Sequence, residues 1–264
     1  MELVKFYQVS IIYRTTLTPG KLELLSEWLP TRTWYRVTGR PPELVKAGGF
    51  RLEDPEGEVG IEFMVAIDGS GVQPLTYHVP MTYRGLPLDG ADDYLIGTTE
   101  HGILGRRWVY DGTRDPVLIT QLVALIQGEA EAQAQSQSHT PDPTVHSRRI
   151  PADPVTATGF RAVDGLACTE VSIVLAAASV GAGGAGTSGG GGSVSAATAE
   201  PGQLVIQVPR VLDQPRVDEA SLEAIAGPGA LRAVDWPCHG SVTATWQVAG
   251  AGRLRGVFAA AELR

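Results

Sequence analysis

The stretch EVGIEFMVAIDGSGVQPLTYHVPMTY, residues 58–83, carries the clearest structural pattern in this chain. Apolar side chains occupy alternate positions from Val59 to Ile67 and again from Leu75 to Tyr83. A period of two is typical of a β-strand that buries one face. The sequence Asp-Gly-Ser-Gly at 68–71 lies between the two runs and tolerates the positive φ angles of a tight turn. The stretch therefore predicts two antiparallel strands joined as a hairpin.

The second strand of this hairpin contains two residues with specific expectations. His78 falls, with Thr76 and Thr82, on the face opposite the apolar one. We therefore expect His78 to face solvent. Pro80 has no N–H to donate to a neighbouring strand, which places it at a sheet edge or a bulge.

Helices are predicted on both sides of the hairpin. Thr18 has the side chain of an N-cap and Pro19 suits a first helical position, and leucines follow at helical spacing until Pro30. Asp115 predicts the cap of a second helix that begins at Pro116 and runs to about residue 134. Its first half is apolar and its second half is polar, so we expect it to dock by its N-terminal part.

The remaining chain predicts further strands at 4–13, 50–52, 167–178, 203–210, 241–248 and 253–260. Residues 136–158 are polar and rich in proline, which indicates a linker, and residues 181–199 are a mobile insert rich in glycine. We therefore expect a domain at 1–135 and a β-rich region at 159–264. The predicted fold class is α+β: a mostly antiparallel sheet packed by two or three helices, followed by a smaller β-rich region.

Composition disfavours several functional classes. The chain has 264 residues, a net charge of −8 and a pI near 5.1. An acidic chain is a poor ligand for a phosphate backbone, so we expect no nucleic-acid partner. No apolar run reaches the ~18–20 residues that span a bilayer, so we expect no membrane partner. Two cysteines cannot build a disulfide framework, which favours a cytoplasmic protein.

Two glycine-rich patterns imitate catalytic motifs. Residues 181–186 fit the GxGxxG pattern of dinucleotide sites, and residues 186–190 fit the GxSxG pattern of hydrolases. Both patterns need a helix directly afterwards, and a run of further glycines cannot start one. We interpret the tract as a flexible loop. The histidines do not cluster, and Cys238 with His239 lacks a second pair of ligands, so we expect no metal site.

Aromatic, basic and acidic side chains are interleaved in two segments that form the candidate ligand-binding set. One segment holds Arg32, Trp34 and Tyr35, and the other holds Glu100, His101, Arg106, Arg107, Trp108 and Asp111.

Two interpretations of these segments are open. Flat aromatic faces pack on sugar rings while charged groups bond hydroxyls; alternatively, the tryptophans anchor the core and the arginines pair with acidic neighbours. The second interpretation is favoured, because large aromatic rings are mostly buried. If a ligand site exists, we expect it in the second segment, where charge, a titratable histidine and aromatic rings are concentrated. No catalytic residue is predicted.

Residues 28–35, Trp-Leu-Pro-Thr-Arg-Thr-Trp-Tyr, resemble the N-terminal signature of the maltokinase N-terminal cap domain. The two alternating strands fit the sheet of that cap, and residues 95–112 with the following helix resemble its closing part. The resemblance covers about residues 15–130. Within the family, the chain most resembles short actinobacterial proteins that carry a cap-like region without a full kinase. It implies that residues 1–135 form a cap-like α+β domain.

Maltokinases phosphorylate maltose with ATP and Mg²⁺, so the resemblance also raises a kinase function. In these kinases, a lysine on one strand pairs with the phosphates of the nucleotide. When this chain is aligned with that strand, Ile206 takes the place of the lysine, and an apolar side chain cannot pair with phosphates. The family's catalytic loop reads His-Gly-Asp, whereas here Ser241 follows His239 and Gly240. The motif that resembles the metal-binding aspartate, at 234–236, precedes this loop instead of following it. No cofactor is therefore expected; ATP and Mg²⁺ belong to the kinase alternative.

Three functions follow, in order of preference. The first is a non-catalytic interaction or regulatory module in trehalose, maltose or α-glucan (glycogen) metabolism, with a sugar kinase, trehalose synthase or branching enzyme as partner. The second preference is an α-glucan-binding module. The third is a sugar kinase that is cryptic or completed by another chain. Whether the chain is an enzyme is left open, with a non-enzyme favoured.

Overall fold

The computed structural model describes residues 16–135, 137, 140–150, 157–176, 202–212 and 238–264. The predicted strand at 4–13, the glycine-rich insert at 181–199 and the motif at 234–236 lie outside the described residues. Across the described part, the helices are too short or too polar to cross a membrane.

The described chain is mostly β rather than α+β. Two α-helices are present in it: α1 at Lys21–Trp28 and α2 at Pro116–Gln127. Short 3₁₀ turns occur at Leu29–Thr31, Asp92–Tyr94 and Gly112–Arg114. The fourteen described strands are β1 Leu17–Thr18, β2 Leu44–Leu52, β3 Gly60–Asp68, β4 Leu75–Arg84, β5 Leu95–His101, β6 Gly105–Asp111, β7 Gln133–Ala134, β8 His146–Arg148, β9 Ala157–Asp164, β10 Cys168–Leu175, β11 Gln203–Pro209, β12 Val211–Leu212, β13 Gly240–Val248 and β14 Gly252–Leu263. The predicted antiparallel sheet is confirmed, but the two helices are too small a share of the chain for an α+β class.

The sheet closes on itself through its C-terminal strands. The strand order is β1-β5-β6-β4-β3-β2-β13-β14-β11-β10-β9, and β12 returns to pair with β4. A single residue, Arg210, separates β11 from β12. The six strands β4, β3, β2, β13, β14 and β11 with its extension β12 therefore form a barrel-like ring. Strands β1, β5 and β6 extend the sheet from β4, and β9 and β10 extend it from β11.

Two adjacent glycines allow the ring to close between β2 and β13. Gly48 pairs with Trp246, and a Cβ on Gly48 would lie 3.2 Å from the Cα of Trp246. A Cβ on Gly49 would overlap the carbonyl oxygen of Phe63. Both glycines have φ angles in the range that side-chain-bearing residues rarely adopt, 154° and 123°. The close approach of β2 to β13 thus requires glycine at position 48, and the close approach of β2 to β3 requires glycine at position 49.

The interior of the ring is a single hydrophobic cluster built from both ends of the chain. Phe50 stacks on Phe63 with ring centroids 4.5 Å apart, and Phe258 from β14 lies 5.7 Å from Phe50. Helix α2 contributes Leu118 and Leu122, both fully buried, to the same cluster. The C-terminal strands therefore share one sheet and one core with the cap-like region.

Part of the segment predicted as a linker is built into this core. Residues His146–Arg148 form β8 and pair with β13, and Ile150 is buried in the interior cluster. The physical reason is that Val145 and Ile150, which lie between the prolines, are apolar, so this short stretch gains more by packing than by solvation.

A second hydrophobic cluster covers the opposite face of β3 and β4. Helix α1 packs there with Leu25, and the 3₁₀ turn after it packs with Leu29, next to Trp34 and Tyr77. Strand β4 is consequently buried on both faces. The expectation that His78 faces solvent is wrong, because its side chain points into the ring interior and is fully buried.

The prediction that Pro80 lies at a sheet edge or a bulge is wrong. Strand β4 is internal to the sheet, and Pro80 lies opposite Phe63 of β3. The other edge of β4 pairs with β12 at Thr76 and Tyr77 and with β6 from Met81 onward. Pro80 thus sits in the gap between two partner strands, where the missing N–H costs no ladder hydrogen bond.

The helix boundaries differ from the predicted ones at two ends. Helix α1 begins at Lys21 rather than Pro19; Thr18 belongs to β1, and Gly20 is the N-cap, its N–H donating to Glu23 Oε2 at 2.6 Å. Helix α2 has the predicted cap, with Asp115 Oδ1 accepting from Val117 N at 2.9 Å. It ends at Gln127 because Gly128 adopts a left-handed conformation, φ 75°, and its N–H closes the last turn.

Candidate functional site

The most strongly organised polar site of the described chain surrounds Arg210, which is fully buried. Its Nη2 donates to both carboxylate oxygens of Asp111, at 2.8 and 2.6 Å, and to Thr113 Oγ1 at 2.7 Å. Its Nε donates to Thr169 Oγ1 at 2.7 Å. The guanidinium also lies 5.1 Å from the ring centroid of Trp34. One arginine from the β11–β12 junction thus joins β6, β10 and the aromatic cluster beside α1.

This arrangement is suited to holding segments together rather than to chemistry. Arginine is always protonated in proteins, so it cannot exchange a proton. Asp111, fully buried, also accepts hydrogen bonds from the backbone N–H and the hydroxyl of Thr113, at 3.1 and 2.8 Å. A buried pair of this kind is strongly destabilised when one partner is lost, because the other charge is left without compensation.

His78 lies beside this site in the ring interior. Its Nδ1 is 2.8 Å from the carbonyl oxygen of Pro209, and because a carbonyl can only accept, Nδ1 carries the proton. Burial, with a smaller contribution from Arg210, lowers the pKa of His78 to about 3. The imidazole is therefore neutral at physiological pH. Its Nε2 is buried and has no hydrogen-bond partner among the described residues.

A second buried carboxylate, Glu62, lies on the α1 side of the sheet. It accepts from Lys21 Nζ at 2.6 Å, Tyr83 Oη at 2.7 Å and Gln135 Nε2 at 3.0 Å. Burial alone would raise the pKa of Glu62, but the ammonium and hydrogen bonds of Lys21 together with the Tyr83 hydroxyl lower it overall. Burial and the neighbouring carboxylate raise the pKa of Tyr83 well above 10.

An apolar recess adjoins Lys21 and Tyr83, but it has no room for a water molecule. It is lined by Leu17, Pro19, Lys21, Leu24, Met81, Tyr83, Ile96, Thr99 and Val109. Because the three hydrogen bonds already occupy the carboxylate and the recess is closed, the Glu62 cluster is a structural anchor of α1.

The predicted second segment is divided between the surface and the interior. Arg106 Nε pairs with Glu100 Oε1 at 2.8 Å, and both side chains are more than half exposed. His101 Nδ1 accepts from the backbone N–H groups of Ile103 and Leu104, at 3.3 and 3.0 Å. Burial, and secondarily Arg107, lower the pKa of His101. These residues form the tip of the β5–β6 hairpin.

The other residues of the second segment lie deeper. Arg107 donates through Nη2 to the carbonyl oxygen of Leu104 at 3.1 Å, and Trp108 is half-buried between β4 and β5. Asp111 is the partner of Arg210. The structure therefore brings Asp111 and Trp34, from the two predicted segments, to the same arginine.

The first predicted segment supports the core-anchor interpretation. Trp34 and Tyr35 are buried, at 1% and 8% exposure, so neither offers a face to a sugar ring. The Tyr35 hydroxyl donates to Asp68 Oδ2 at 3.2 Å. Arg32 is half-buried and lies over the Trp28 ring, 4.9 Å from its centroid.

Of the described positions compared with kinase motifs, three lie in strands. Ile206 is fully buried in β11. His239 donates its backbone N–H to the carbonyl oxygen of Ala261 at 2.8 Å, and its Nδ1 accepts from Leu263 N at 3.1 Å. Gly240 and Ser241 begin β13. In the ranges that the structure describes, no three His, Cys, Asp or Glu side chains are grouped closely enough to hold a metal ion.

The sequence reasoning did not single out Arg210 or Glu62. A signal for Arg210 is present: it is the one charged residue in the apolar run from Leu204 to Leu212. A charge inside such a run implies a buried partner, but the run does not say which one. Glu62 gives a similar signal, because it interrupts the apolar sequence of β3.

Comparison with known protein families gives a match in the first half of the chain. Residues 28–115 match the family model of the maltokinase N-terminal cap domain, which confirms the resemblance for one third of the chain. No curated protein matches the chain. The matched range includes Trp34, Glu62, His78 and Asp111, whereas Arg210 and strands β8 to β14 lie beyond it.

Proposed function

We propose that this chain is a non-catalytic module that uses a maltokinase-type cap region for interaction or regulation in trehalose, maltose or α-glucan metabolism. The match at residues 28–115 supports an association with maltokinase-type carbohydrate metabolism. The partner in this proposal is a carbohydrate enzyme, for example a sugar kinase, a trehalose synthase or a branching enzyme. The proposal places the protein in the cytoplasm, where these enzymes act.

The observation that carries the proposal is how the C-terminal strands are used. In a maltokinase, the chain after the cap builds a nucleotide-binding lobe. Here, β11 to β14 close the sheet of the cap-like region. Arg210 is buried against Asp111 and Trp34 instead of facing a phosphate. A phosphoryl transferase needs charge-stabilising groups and a base together at an accessible site.

Ligand-induced stabilisation of the purified full chain tests the non-catalytic part. A ligand at 100 times its Kd adds about 2.7 kcal/mol to the free energy of unfolding. We expect no rise in Tm with MgATP, with maltose or with both. Phosphorylation of maltose by the isolated chain with MgATP would overturn the proposal and establish the kinase alternative.

Direct binding to purified enzymes tests the interaction part. Isothermal titration with a maltokinase, a trehalose synthase and a branching enzyme should show that one of them binds and that its kcat or KM changes on binding. Affinity electrophoresis in glycogen gels tests the glucan-binding alternative, for which we expect unretarded migration because Trp34 and Tyr35 are buried. Retarded migration in glycogen, together with no heat of binding in any of the three titrations, would replace the proposal by the glucan-binding alternative.

A further inference from the structure

The tip of the β5–β6 hairpin presents an apolar surface. Ile103 and Leu104 are exposed there at 59% and 43%, and Leu86, two residues after the end of the neighbouring strand β4, is exposed at 75%. Arg107 connects them: its Nη2 donates to the Leu104 carbonyl, and a Cβ on Gly85 would lie 2.9 Å from its Nη1. We call Leu86, Ile103, Leu104 and Arg107 the hairpin-tip surface.

This surface is held in one shape by hydrogen bonds inside the hairpin. The two backbone N–H groups that donate to His101 Nδ1 fix the turn that carries Ile103 and Leu104. On the other side of the turn, Gly102 N donates to the carbonyl oxygen of Thr16 at 3.2 Å. A surface that is already ordered loses little conformational entropy when it binds.

The charge of the surface is positive in an acidic protein. Glu100 is occupied by Arg106, so that pair is neutral. Within the part of the chain that the structure describes, Arg107 has no carboxylate within 4.0 Å, while the whole chain has a net charge of −8. Aliphatic side chains around one uncompensated guanidinium are complementary to a segment that alternates aliphatic and carboxylate side chains.

We propose that the hairpin-tip surface docks an apolar, carboxylate-bearing segment of a partner protein. The inference rests on the proposed function, since it names the surface through which the module would bind. Apolar contact with Leu86, Ile103 and Leu104 supplies the binding free energy, and pairing with Arg107 selects acidic over basic segments. By contrast, Val72 is also exposed, but it lies in the β3–β4 turn at a different corner of the sheet.

The test follows methyl NMR signals of the full chain, labelled at Ile, Leu and Val. The probes are short peptides that alternate Leu with Glu, Leu with Lys, or Ser with Glu. The Leu/Glu peptide should shift the methyl signals of Leu86, Ile103 and Leu104, and the other two peptides should not. Arg107→Gln should weaken the binding about fivefold, as the loss of one exposed ion pair does. The exposed Arg253 provides a matched control, and Arg253→Gln should leave the binding unchanged.

Several results would overturn the inference. Equal shifts with the Leu/Lys peptide would show that Arg107 does not select acidic segments. An absence of shifts with the Leu/Glu peptide would show that the hairpin-tip surface does not dock such a segment. A decrease in Tm of more than about 2 °C for Ile103→Ser, beyond that of Val72→Ser, means that the chain itself covers Ile103. Methyl line broadening that grows with protein concentration, without peptide, identifies a second copy as the occupant.

The same variants separate this inference from the proposed function. If a carbohydrate enzyme binds the wild-type chain, Ile103→Ser should weaken that binding and Val72→Ser should not. Equal binding by both variants would reject the hairpin-tip surface while the proposed function stands.

Discussion

Two arginine–carboxylate pairs of this protein have the same chemistry and opposite surroundings. Arg210 and Asp111 are both fully buried, with a closest N–O distance of 2.6 Å. Arg106 and Glu100 lie 2.8 Å apart on the hairpin, at 62% and 58% exposure. The first pair joins segments 99 residues apart, and the second joins residues six apart.

The difference shows that the distance between two charges does not measure what the pair contributes. An exposed pair gains little, because water solvates both charges when they are apart. In a buried pair, each charge has lost its water, and this desolvation is offset only while the opposite charge is present. Lys21 with Glu62 lies between these limits, at 31% and 4% exposure.

The largest effect is expected for Arg210→Ala. The substitution leaves Asp111 buried without its cation, so the free energy of unfolding should fall by about 3–5 kcal/mol. Chemical denaturation of the full chain measures this. The double variant Arg210→Met/Asp111→Leu removes both charges and should recover part of the loss. A change below about 1 kcal/mol for Arg210→Ala would show that water reaches Asp111, contrary to the described burial.

The next effect concerns pH and extends the contrast to one buried and one surface histidine. The pKa of His78 is about 3 in the folded protein, against 6.5 for an unperturbed histidine. As pH falls below 6.5, the unfolded state binds a proton that the folded state does not, so stability is lost between pH 6.5 and 3. The expected loss from pH 7 to pH 5 is about 2 kcal/mol.

Urea denaturation at several pH values measures this slope. His78→Gln keeps a donor toward Pro209 and removes the titration, so its stability should vary less between pH 7 and 5. The comparison variant His101→Gln should retain most of the wild-type slope, because His101 lies on the surface of the hairpin. Equal slopes for the wild type and His78→Gln would contradict the buried, neutral imidazole.

A smaller effect is expected for Tyr83→Phe at the Glu62 cluster. The substitution removes one hydrogen bond to a charged acceptor that keeps Lys21 and Gln135. The free energy of unfolding should fall by about 1.5–3 kcal/mol, with a value near the lower end because two donors remain. The phenylalanine ring fills the same space as the tyrosine ring, so the loss in chemical denaturation reports the hydroxyl alone. A neutral effect would contradict a contribution of the hydrogen bond from Tyr83 to Glu62.

The smallest effect is expected for Arg106→Ala. The loss of this exposed pair should change the free energy of unfolding by about 1 kcal/mol or less. Raising the salt concentration should reduce even this difference, because exposed charges are screened. A loss as large as that of Arg210→Ala would contradict the contrast, since it would show that exposure does not separate the two pairs.

The local patterns of the sequence predicted β3, β4, β10, β11, β13 and β14, but they missed β5, β6, β9 and most of β2. The hairpin of β3 and β4 follows from alternation over nine or ten residues and from the turn between them. The cap of α2 follows from Asp115 and Pro116. The predicted end of α2 is too late, because the helix-forming composition after residue 128 outweighs Gly128 in the sequence pattern. His78 was misplaced because the sequence shows one apolar face of β4 but not the second layer that covers the other face.

The candidate site was predicted in part. Trp34 and Asp111 were chosen for their residue types, and the structure places both at Arg210. Their shared partner was missed because it comes from a strand almost a hundred positions later, and no local period links the two. The hypothesis that the tryptophans anchor the core holds for Trp34, whose ring is buried, whereas Trp108 is half-buried.

Local sequence was sufficient for the antiparallel sheet, the central hairpin, the cap of α2 and the resemblance that the family match confirms, although it overestimated the helical share. These features depend on neighbours within about ten positions, where side-chain period and turn residues act directly. The return of β12 to β4, which closes the ring, is visible only once the chain is folded. The same holds for which arginine is buried and which is exposed, because burial depends on the layers that pack over a residue rather than on its neighbours in the chain.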